Sequence, residues 1–508
     1  MTRFRSLRRN RSFLGGVIKL VGGTTIAQAI SVLSAPILSR LYTPDAFGTL
    51  SIFASLVGVF SVIACLRFDL AIVLPKEENE AASLFNVSLL AATFVAVLSA
   101  LGLMVWGNQL IQLLEAPDLI PFLWMIPVTL FIQGFHLANI SWNTRKKRFG
   151  RLSISRILAS LTTSLLPIVL ALTGKASSTS LVLSWIAGTI VFSGVLASQV
   201  WKDSWRLFLE YFKVKLLTHS VVRYRKFPLI DFWGSFINNL SWQLPPLIIS
   251  PLFTPSAVGY YSLANRVLLL PMTLIGNAVS QVFFQRASET HARQSNLAET
   301  VEIVFRQLVA LGLFPAILLT ILGRELFITV FGITWAEAGV YAQILGPWLF
   351  FLFISSPISN LFVVLERQEL ALVMHLIILA TRAISLWIGG VQKDIILALT
   401  LWTVSGVIVY GILAIWNTRL AGLSYKTIVD IFIRNGVYAI PTGLILVLIK
   451  AGSNGVAWIV LSGSALATIV YYFFLWQREK DFYRLMFSRM MPVLNSNPSL
   501  SQADEPDE

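Results

Sequence analysis

The chain has 508 residues, of which 56% are hydrophobic and only 13% charged, and its mean hydropathy is +0.75. Soluble globular proteins carry about 25% charged residues, so the composition excludes that class. The net charge of +14 is compatible with nucleic-acid binding. In a membrane protein, however, Lys and Arg collect on the cytoplasmic side, and this explains the charge without a nucleic-acid partner.

The N-terminal sequence MTRFRSLRRNRSFLGG is basic and leads into an apolar stretch without a small-residue cleavage site. This pattern predicts a cytoplasmic tail over residues 1–16, followed by a retained helix rather than a cleaved signal. Cys65 is the single cysteine and the four histidines show no ligand spacing, so we expect no disulfide framework and no metal. Motifs of nucleotide-binding loops, serine hydrolases and zinc proteases are not found in the sequence, and we expect no cofactor and no catalytic residue.

Hydropathy predicts an all-α polytopic membrane protein with about fourteen transmembrane helices. The uncharged runs 81–107, 119–142 and 395–417 each exceed the roughly 20 residues that cross a bilayer. In chain order the spans are predicted near residues 17–39, 46–66, 81–107, 119–142, 152–173, 180–201, 228–250, 257–284, 305–323, 338–365, 370–390, 395–417, 432–450 and 455–477.

An even number of spans puts both termini on one side of the membrane. On this assignment, 30 Lys and Arg residues lie on the side of the termini and five on the other. The excess predicts a multi-pass membrane protein with both termini in the cytoplasm. Residues 478–508 form the predicted C-terminal tail, whose acidic, Pro-containing end is expected to be disordered.

One phrase occurs twice in the chain. ILSRLYTPDAFGTLS (residues 37–51) and IISPLFTPSAVGYYS (248–262) share eight of fifteen residues at an offset of 211. The first copy joins spans one and two and the second joins spans seven and eight, so the repeat is parallel. We predict an N-terminal six-helix lobe at 17–215, a cytoplasmic linker at 216–227, a C-terminal six-helix lobe at 228–418 and an extra helix pair at 432–477. Two such lobes around a central cavity indicate a transporter.

Charged residues inside the predicted spans need an explanation, because a charge in hydrocarbon is costly. Arg266 shares one predicted helical face with Asn277, and Arg382 shares a span with His375. Two interpretations stay open for these arginines: internal salt bridges or carbonyl contacts, and a cationic cavity that attracts an anionic substrate. Arg156 lies close to the inner end of span five, where a side chain directed to the membrane surface is the simpler interpretation.

Five segments of the chain form a distinctive set: KLVGGTTIAQAISVLSAPILSRLYTPDAFG (19–48), RFDLAIVLP (67–75), SPLFTPSAVGYYSLANRVLLLP (250–271), SQVFFQRASE (280–289) and ELFITVFGITWAEAGVYAQILGPWLF (325–350). Together they resemble the bacterial polysaccharide-biosynthesis flippases of the multidrug/oligosaccharidyl-lipid/polysaccharide exporter superfamily, and this resemblance implies that the protein lies in the bacterial inner membrane. The resemblance extends in order over about residues 17–400. It implies two lobes around a central cavity and transfer of undecaprenyl-diphosphate-linked oligosaccharide units across the inner membrane. These units serve O-antigen (lipopolysaccharide), exopolysaccharide or capsule assembly.

The resemblance also suggests partners and site residues. The lipid-linked oligosaccharide and the lipid bilayer are the implied partners, and a polysaccharide polymerase and a chain-length regulator are candidates. Relatives that flip the lipid-linked peptidoglycan precursor place basic residues in the cavity for the diphosphate. By depth, Arg266 and Arg382 are the candidates for that contact. The candidates for hydrogen bonds to sugars are Gln28, Asn238 and Asn277, and the candidate gate residues are Arg40, Arg67 and Asp69.

Two alternatives remain open, one within the same superfamily and one from another functional class. A drug/cation antiporter of the same superfamily favours acidic residues in the cavity, whereas this chain has more deep Arg than deep carboxylate. A membrane-embedded polysaccharide polymerase or ligase usually carries a large extracytoplasmic loop or a soluble catalytic domain. The predicted outer loops are short, so we expect a transporter and not an enzyme.

Overall fold

The computed structural model describes residues 2–294, 296–453 and 455–478, and the predicted C-terminal tail beyond residue 478 lies outside this range. None of the described residues forms a β-strand. The α-helices are α1 (Thr2–Leu41), α2 (Pro44–Ser61), α3 (Phe68–Ala71), α4 (Glu78–Leu114), α5 (Met125–Arg145), α6 (Phe149–Leu172), α7 (Ser178–Glu210), α8 (Val214–Arg223), α9 (Phe232–Leu252), α10 (Pro255–Leu268), α11 (Asn277–Ala292), α12 (Leu297–Phe331), α13 (Ala336–Ser355), α14 (Leu361–Val364), α15 (Gln368–Val391), α16 (Ile395–Leu420), α17 (Tyr425–Ser453) and α18 (Ala457–Arg478).

Within the described residues, ten helical segments are long and apolar enough to cross a membrane, or eleven if one bent pair counts as a single span. The predicted all-helical, multi-pass membrane protein is therefore confirmed, while the predicted number of fourteen spans is not reached by these criteria. Helices α1, α5 and α9 occupy predicted spans one, four and seven but are not among the ten. The predicted linker 216–227 contains most of the short helix α8.

Predicted span eight is broken into two helices. After α10 the chain passes through a short π-helix at Met272–Gly276 into α11. The axes of the segments before and after the break differ in direction by 42°. Pro271 immediately precedes the π-helix, and a proline cannot donate the backbone hydrogen bond that a continuous helix requires. Arg266 and Asn277 therefore lie on different segments and not on one continuous helical face.

The repeated phrase begins a helix in each copy. The side-chain oxygens of Thr43 and Thr254 accept hydrogen bonds from the backbone N–H three residues further on, at 3.4 and 3.1 Å. Pro44 and Pro255 occupy the first helical position, where the missing N–H costs nothing. A Thr-Pro pair is thus a complete helix start, and its recurrence has a local physical cause.

Both copies lie at the same end of the molecule, which we call the Thr-Pro end. Here α2 and α10 cross, with Gly48 and Gly259 buried at the crossing. Ser39 of α1 donates a hydrogen bond to the Phe331 carbonyl at the end of α12 (3.1 Å). At the 211-residue offset, Ser250 of α9 donates to the Leu114 carbonyl at the end of α4 (2.6 Å). These reciprocal contacts join the N-terminal half of the chain to the C-terminal half.

At the opposite end, which we call the basic end, the loop between α3 and α4 wraps around Arg145. The guanidinium of Arg145, at the end of α5, donates hydrogen bonds to the carbonyl oxygens of residues 72, 73 and 75–77 at 2.5 to 3.5 Å. The Arg67 Nε atom lies 2.8 Å from Asp231 Oδ2, next to a π turn at Phe227–Asp231 that precedes α9. The two halves therefore also touch at this end, through α2, α3 and α9.

Candidate functional site

A cavity of about 560 Å³ lies between α1, α5, α6 and α7. Its polar lining residues are Thr24, Gln28, Ser31, Gln133, His136, Arg156, Ser160, Thr163 and Thr189. We call it the Arg156 cavity, because Arg156 is the one residue with a permanent charge in the part of the lining that the structure describes. Arg156 Nη1 donates a hydrogen bond to Thr24 Oγ1 at 2.6 Å. No carboxylate is among the described lining residues, so the cavity has a positive potential suited to an anionic group.

A second cavity, of about 360 Å³, lies between α9, α11, α13, α15 and α16. Its polar and aromatic lining residues include Asn238, Ser241, Trp242, Asn277, Ser280, Ser356, Ser359, Asn360, His375 and Tyr410. We call it the Asn277 cavity. Within the described part of the chain its lining contains no Asp, Glu, Lys or Arg, while its amides and hydroxyls both donate and accept hydrogen bonds. This chemistry suits an uncharged polyhydroxylated ligand.

The structure separates the three residues predicted to contact sugars. Asn238 and Asn277 line the same cavity, although α9 and α11 are separate helices. Gln28 lines the Arg156 cavity instead. The cavity-lining polar residues of α1 thus face a different space from those of α9 and α11.

Arg266 lies where α10 meets α1. Its Nη2 atom donates hydrogen bonds to the Ser31 carbonyl oxygen, at 2.8 Å, and to Ser31 Oγ. Ser31 is itself a lining residue of the Arg156 cavity. Arg266 therefore borders that cavity, and it makes the carbonyl contact that was one of the two interpretations open from the sequence.

Arg382 is only 2% exposed and lies behind the wall of the Asn277 cavity. Its Nη1 atom donates hydrogen bonds to the carbonyl oxygen and, at 3.2 Å, to the Oγ of Ser241, which does line the cavity. Its guanidinium carbon lies 4.9 to 5.8 Å from the ring centroids of three tryptophans, Trp242, Trp348 and Trp402. Cation–π contacts and a carbonyl therefore hold this charge without a carboxylate.

The three candidate gate residues lie at two different ends. Arg40 is exposed at the Thr-Pro end, whereas Arg67 and Asp69 lie at the basic end. Arg67 pairs with Asp231 across the two halves of the chain. Asp69 is 3% exposed, and its Oδ1 atom has no hydrogen-bond partner in the described structure. Burial raises the pKa of the Asp69 carboxyl, and the neighbouring Arg67 charge opposes that increase.

Sequence reasoning missed Arg156, Gln133 and His136 as cavity residues. A signal existed for Arg156, because an ionisable residue within a transmembrane segment is by default a functional candidate. Its depth near one end of the span favoured a surface interpretation, but depth does not say which way a side chain faces. His136 packs against Phe192, with ring centroids 4.0 Å apart, and as an ionisable residue inside predicted span four it carried the same kind of signal.

Comparison with known proteins places the chain among proteins of polysaccharide synthesis. Residues 37–339 match the family described as "Polysaccharide biosynthesis protein". The succinoglycan biosynthesis transport protein ExoT of Rhizobium meliloti (strain 1021) is 22% identical over 310 residues. That match covers 61% of this chain and 60% of the relative, which is less than two thirds of the relative's length.

Two solved structures share the fold. The lipid II flippase MurJ in its inward closed conformation superposes with a TM-score of 0.70 at 14% identity, over 90% of this chain and 99% of that one. An inward-facing multidrug resistance MATE family transporter of the MOP superfamily superposes with a TM-score of 0.64 at 13% identity, over 80% and 98%. At such low identity the similarity establishes the fold alone.

Proposed function

The chain belongs to the polysaccharide biosynthesis protein family, and on that premise we propose that it is a flippase for undecaprenyl-diphosphate-linked oligosaccharide units in the bacterial inner membrane. The observation that carries the proposal is the chemistry of the two cavities. Their linings offer a guanidinium, amides and hydroxyls but no carboxylate. A lipid-linked sugar diphosphate needs cations for its phosphates and neutral hydrogen-bonding groups for its sugars.

The proposed architecture has fourteen spans, arranged as two parallel six-helix lobes at 17–215 and 228–418 with an extra pair at 432–477. The ten apolar segments, the bent pair and the three helices α1, α5 and α9 together make fourteen, which supports this number. The reciprocal hydrogen bonds of Ser39 and Ser250, which lie at the repeat offset, support the parallel arrangement.

The proposed orientation has both termini in the cytoplasm, and the excess of basic residues on that side supports it. The Thr-Pro end then faces the outside and is closed by contacts between the lobes. The substrate enters from the cytoplasm when the contacts between the halves at the basic end, such as the Arg67–Asp231 pair, separate. Rocking of the lobes opens the Thr-Pro end and releases the headgroup into the outer leaflet.

A polar cavity that opens alternately to the two sides of the membrane solves a physical problem. A polar headgroup cannot cross hydrocarbon, and a polyprenyl tail cannot leave it. In the proposed pose the diphosphate lies near Arg266, while sugars bind Gln28, Asn238 and Asn277. The tail remains in the lipid beside the protein. Arg382 acts as a positioning residue, since it holds Ser241 and Trp242 of the cavity wall. The product serves O-antigen, exopolysaccharide or capsule assembly, with a polymerase and a chain-length regulator as downstream partners.

The alternatives receive less support. A drug/cation antiporter needs carboxylates to bind cations, whereas the two linings contain none. A polymerase or ligase is disfavoured because the relative ExoT is described as a transport protein.

Measuring the leaflet in which the lipid-linked oligosaccharide accumulates tests the proposal. In spheroplasts of a deletion strain, we expect the sugar unit to be inaccessible to an externally added glycosidase. Accumulation in the outer leaflet would contradict a flippase and favour a polymerase. Wild-type protein should restore accessibility, and the double variant Asn238→Leu/Asn277→Leu should restore it poorly. Thr400→Val is the matched control, because its hydroxyl lies on an exposed face of α16 away from both cavities.

A further inference from the structure

Two arginines from separate parts of the chain hold the same polar face of α1. Arg156 of α6 donates to Thr24 Oγ1, and Arg266 of α10 donates to the carbonyl oxygen and hydroxyl of Ser31. Thr24 and Ser31 are seven residues apart, which corresponds to about 10 Å along the helix axis. Gln28 lies between them on the same face, and all three α1 residues line the Arg156 cavity.

Neither arginine is paired with an acid. The ion pairs within the described residues include neither Arg156 nor Arg266, and the cavity lining contains no Asp or Glu. Each guanidinium can donate five hydrogen bonds, and the described contacts use one or two of them. Hydrogen bonds from Arg to phosphate join two ionised groups and are frequently bidentate, which adds both energy and geometric specificity. A diphosphate is thus a better partner for both side chains than the hydroxyls of α1.

We infer that Thr24 and Ser31 occupy the places of phosphate oxygens, and that a diphosphate bound beside Gln28 displaces α1 from Arg156 and Arg266. The inference rests on the proposed function, because the diphosphate is that of the lipid-linked substrate. Both arginines have long, flexible side chains, so they can turn toward one ligand between them.

The exchange of partners couples binding to movement. In the ligand-free state the two arginines tie α1 to α6 and to α10. When the diphosphate takes over both guanidiniums, these two ties are lost. Hydrogen bonds from Ser160 to the Ala27 carbonyl oxygen and from Ser34 to Ser164 still hold α1 to α6, so α1 gains freedom of movement mainly relative to α10. A ligand shifts a conformational equilibrium only through contacts that differ between the two states, and this exchange supplies such a difference. Pro36 lies inside α1 on the side of the Thr-Pro end and offers a bending point.

Binding affinity of the purified full-length protein for sodium pyrophosphate tests the inference. Arg156→Gln and Arg266→Gln should each weaken binding about tenfold or more, because each removes a charge-assisted contact. Thr24→Val should tighten binding up to about fivefold, because the isosteric variant frees Arg156 from a competing hydrogen bond. Weaker binding by Thr24→Val would overturn the inference, since Thr24 would then be a ligand. Unchanged binding by Arg156→Gln and Arg266→Gln would overturn it as well.

Three controls separate the loss of the arginine contacts from misfolding and from recognition of the lipid tail. Arg324→Gln removes an exposed arginine at the Thr-Pro end and should leave pyrophosphate affinity unchanged. Arg156→Lys keeps the charge but loses the planar, forked geometry of the guanidinium. If Arg156→Gln weakens binding because the contact is lost, and not because the protein misfolds, Arg156→Lys should bind pyrophosphate with intermediate affinity. Farnesyl diphosphate should compete with pyrophosphate, whereas farnesol should not. Competition by farnesol would show that the tail is recognised and would overturn the diphosphate site.

The leaflet experiment distinguishes this inference from the proposed function. If the deletion strain retains the sugar unit in the inner leaflet but pyrophosphate does not bind the purified protein, the inference fails and the flippase stands. If pyrophosphate binds with the expected variant pattern but the sugar unit reaches the outer leaflet without the protein, the flippase proposal fails and the anion site stands.

Discussion

Gly48 and Gly259, 211 positions apart in the chain, lie against one another where α2 crosses α10. A Cβ atom on Gly48 would lie 2.0 Å from the Pro255 carbonyl oxygen, and one on Gly259 would lie 1.9 Å from that of Pro44. Between the same two turns, Ser256 donates a hydrogen bond to Asp45, its equivalent in the other copy. The repeated phrase is therefore a contact surface that binds its own second copy, and glycine is required because the backbones touch.

Replacing either glycine with alanine should destabilise the Thr-Pro end. The added Cβ meets a backbone carbonyl, which a side-chain rotation cannot relieve, and overpacking of this kind costs about 1–3 kcal/mol. We expect a lower Tm for Gly48→Ala and Gly259→Ala, together with a larger population open at this end. Cross-linking between cysteines at positions 45 and 256, in a Cys65→Ser background, should fall correspondingly.

Gly102→Ala and Gly194→Ala are the matched controls for that prediction. Both glycines lie in helices, and a Cβ on either would meet no atom within 4 Å. Their Tm should be unchanged or slightly higher, because alanine favours helix over glycine. Equal losses at all four positions would contradict the assignment of a specific close contact.

The ion pair between Arg67 and Asp231 should contribute to closure of the basic end. The two side chains are 18% and 46% exposed, so the pair is worth about 0.2–1 kcal/mol. Arg67→Asp or Asp231→Arg alone should impair complementation of a deletion strain, because each places like charges together. The exchanged double variant should recover much of the activity. Aspartate is tolerated at position 67, where φ is 65°, better than most residues.

Arg225→Asp, an exposed charge reversal near the same end, is the control for the exchange. It should complement like the wild type. A double variant no better than the worse single variant would show that residues 67 and 231 act independently.

Arg382 should be sensitive to the shape of its side chain as well as to its charge. A lysine ammonium is compact and strongly hydrated and cannot spread over three indole rings, so we expect Arg382→Lys to lower the Tm. Arg382→Leu removes an unpaired buried charge and should lower the Tm less. Both variants should retain pyrophosphate affinity, because Arg382 does not line either cavity. Loss of that affinity in a folded Arg382→Leu protein would contradict its position behind the wall.

Asp69 should make stability depend on pH. Burial raises the pKa of its carboxyl in the folded protein, so folding favours the protonated form. The stability contributed by Asp69 is therefore present at low pH and falls as pH rises through the folded-state pKa. Asp69→Asn should raise the Tm at pH 8 and change it less at pH 5, as measured by thermal melts in detergent. A Tm gain that is larger at pH 5 would reverse the sign and refute this account.

Several properties of the protein followed from sequence alone because they depend on local composition. A span of about 20 apolar residues must be a helix in lipid, so the membrane class could be predicted from hydropathy. The Thr-Pro starts could be located because capping involves only a few neighbouring residues. The five quoted segments were enough to identify the family, since the match covers residues 37–339.

Tertiary structure decided where the deep arginines point. Arg156, Arg266 and Arg382 look alike in sequence, each a single charge in an apolar helix. In the structure they lie respectively in a cavity, against α1 and in a tryptophan cage. The rotation of a membrane helix about its own axis is set by the helices that pack against it, and no local pattern contains that information. The repeat likewise identified two equivalent turns, but only packing brought Gly48 against Gly259.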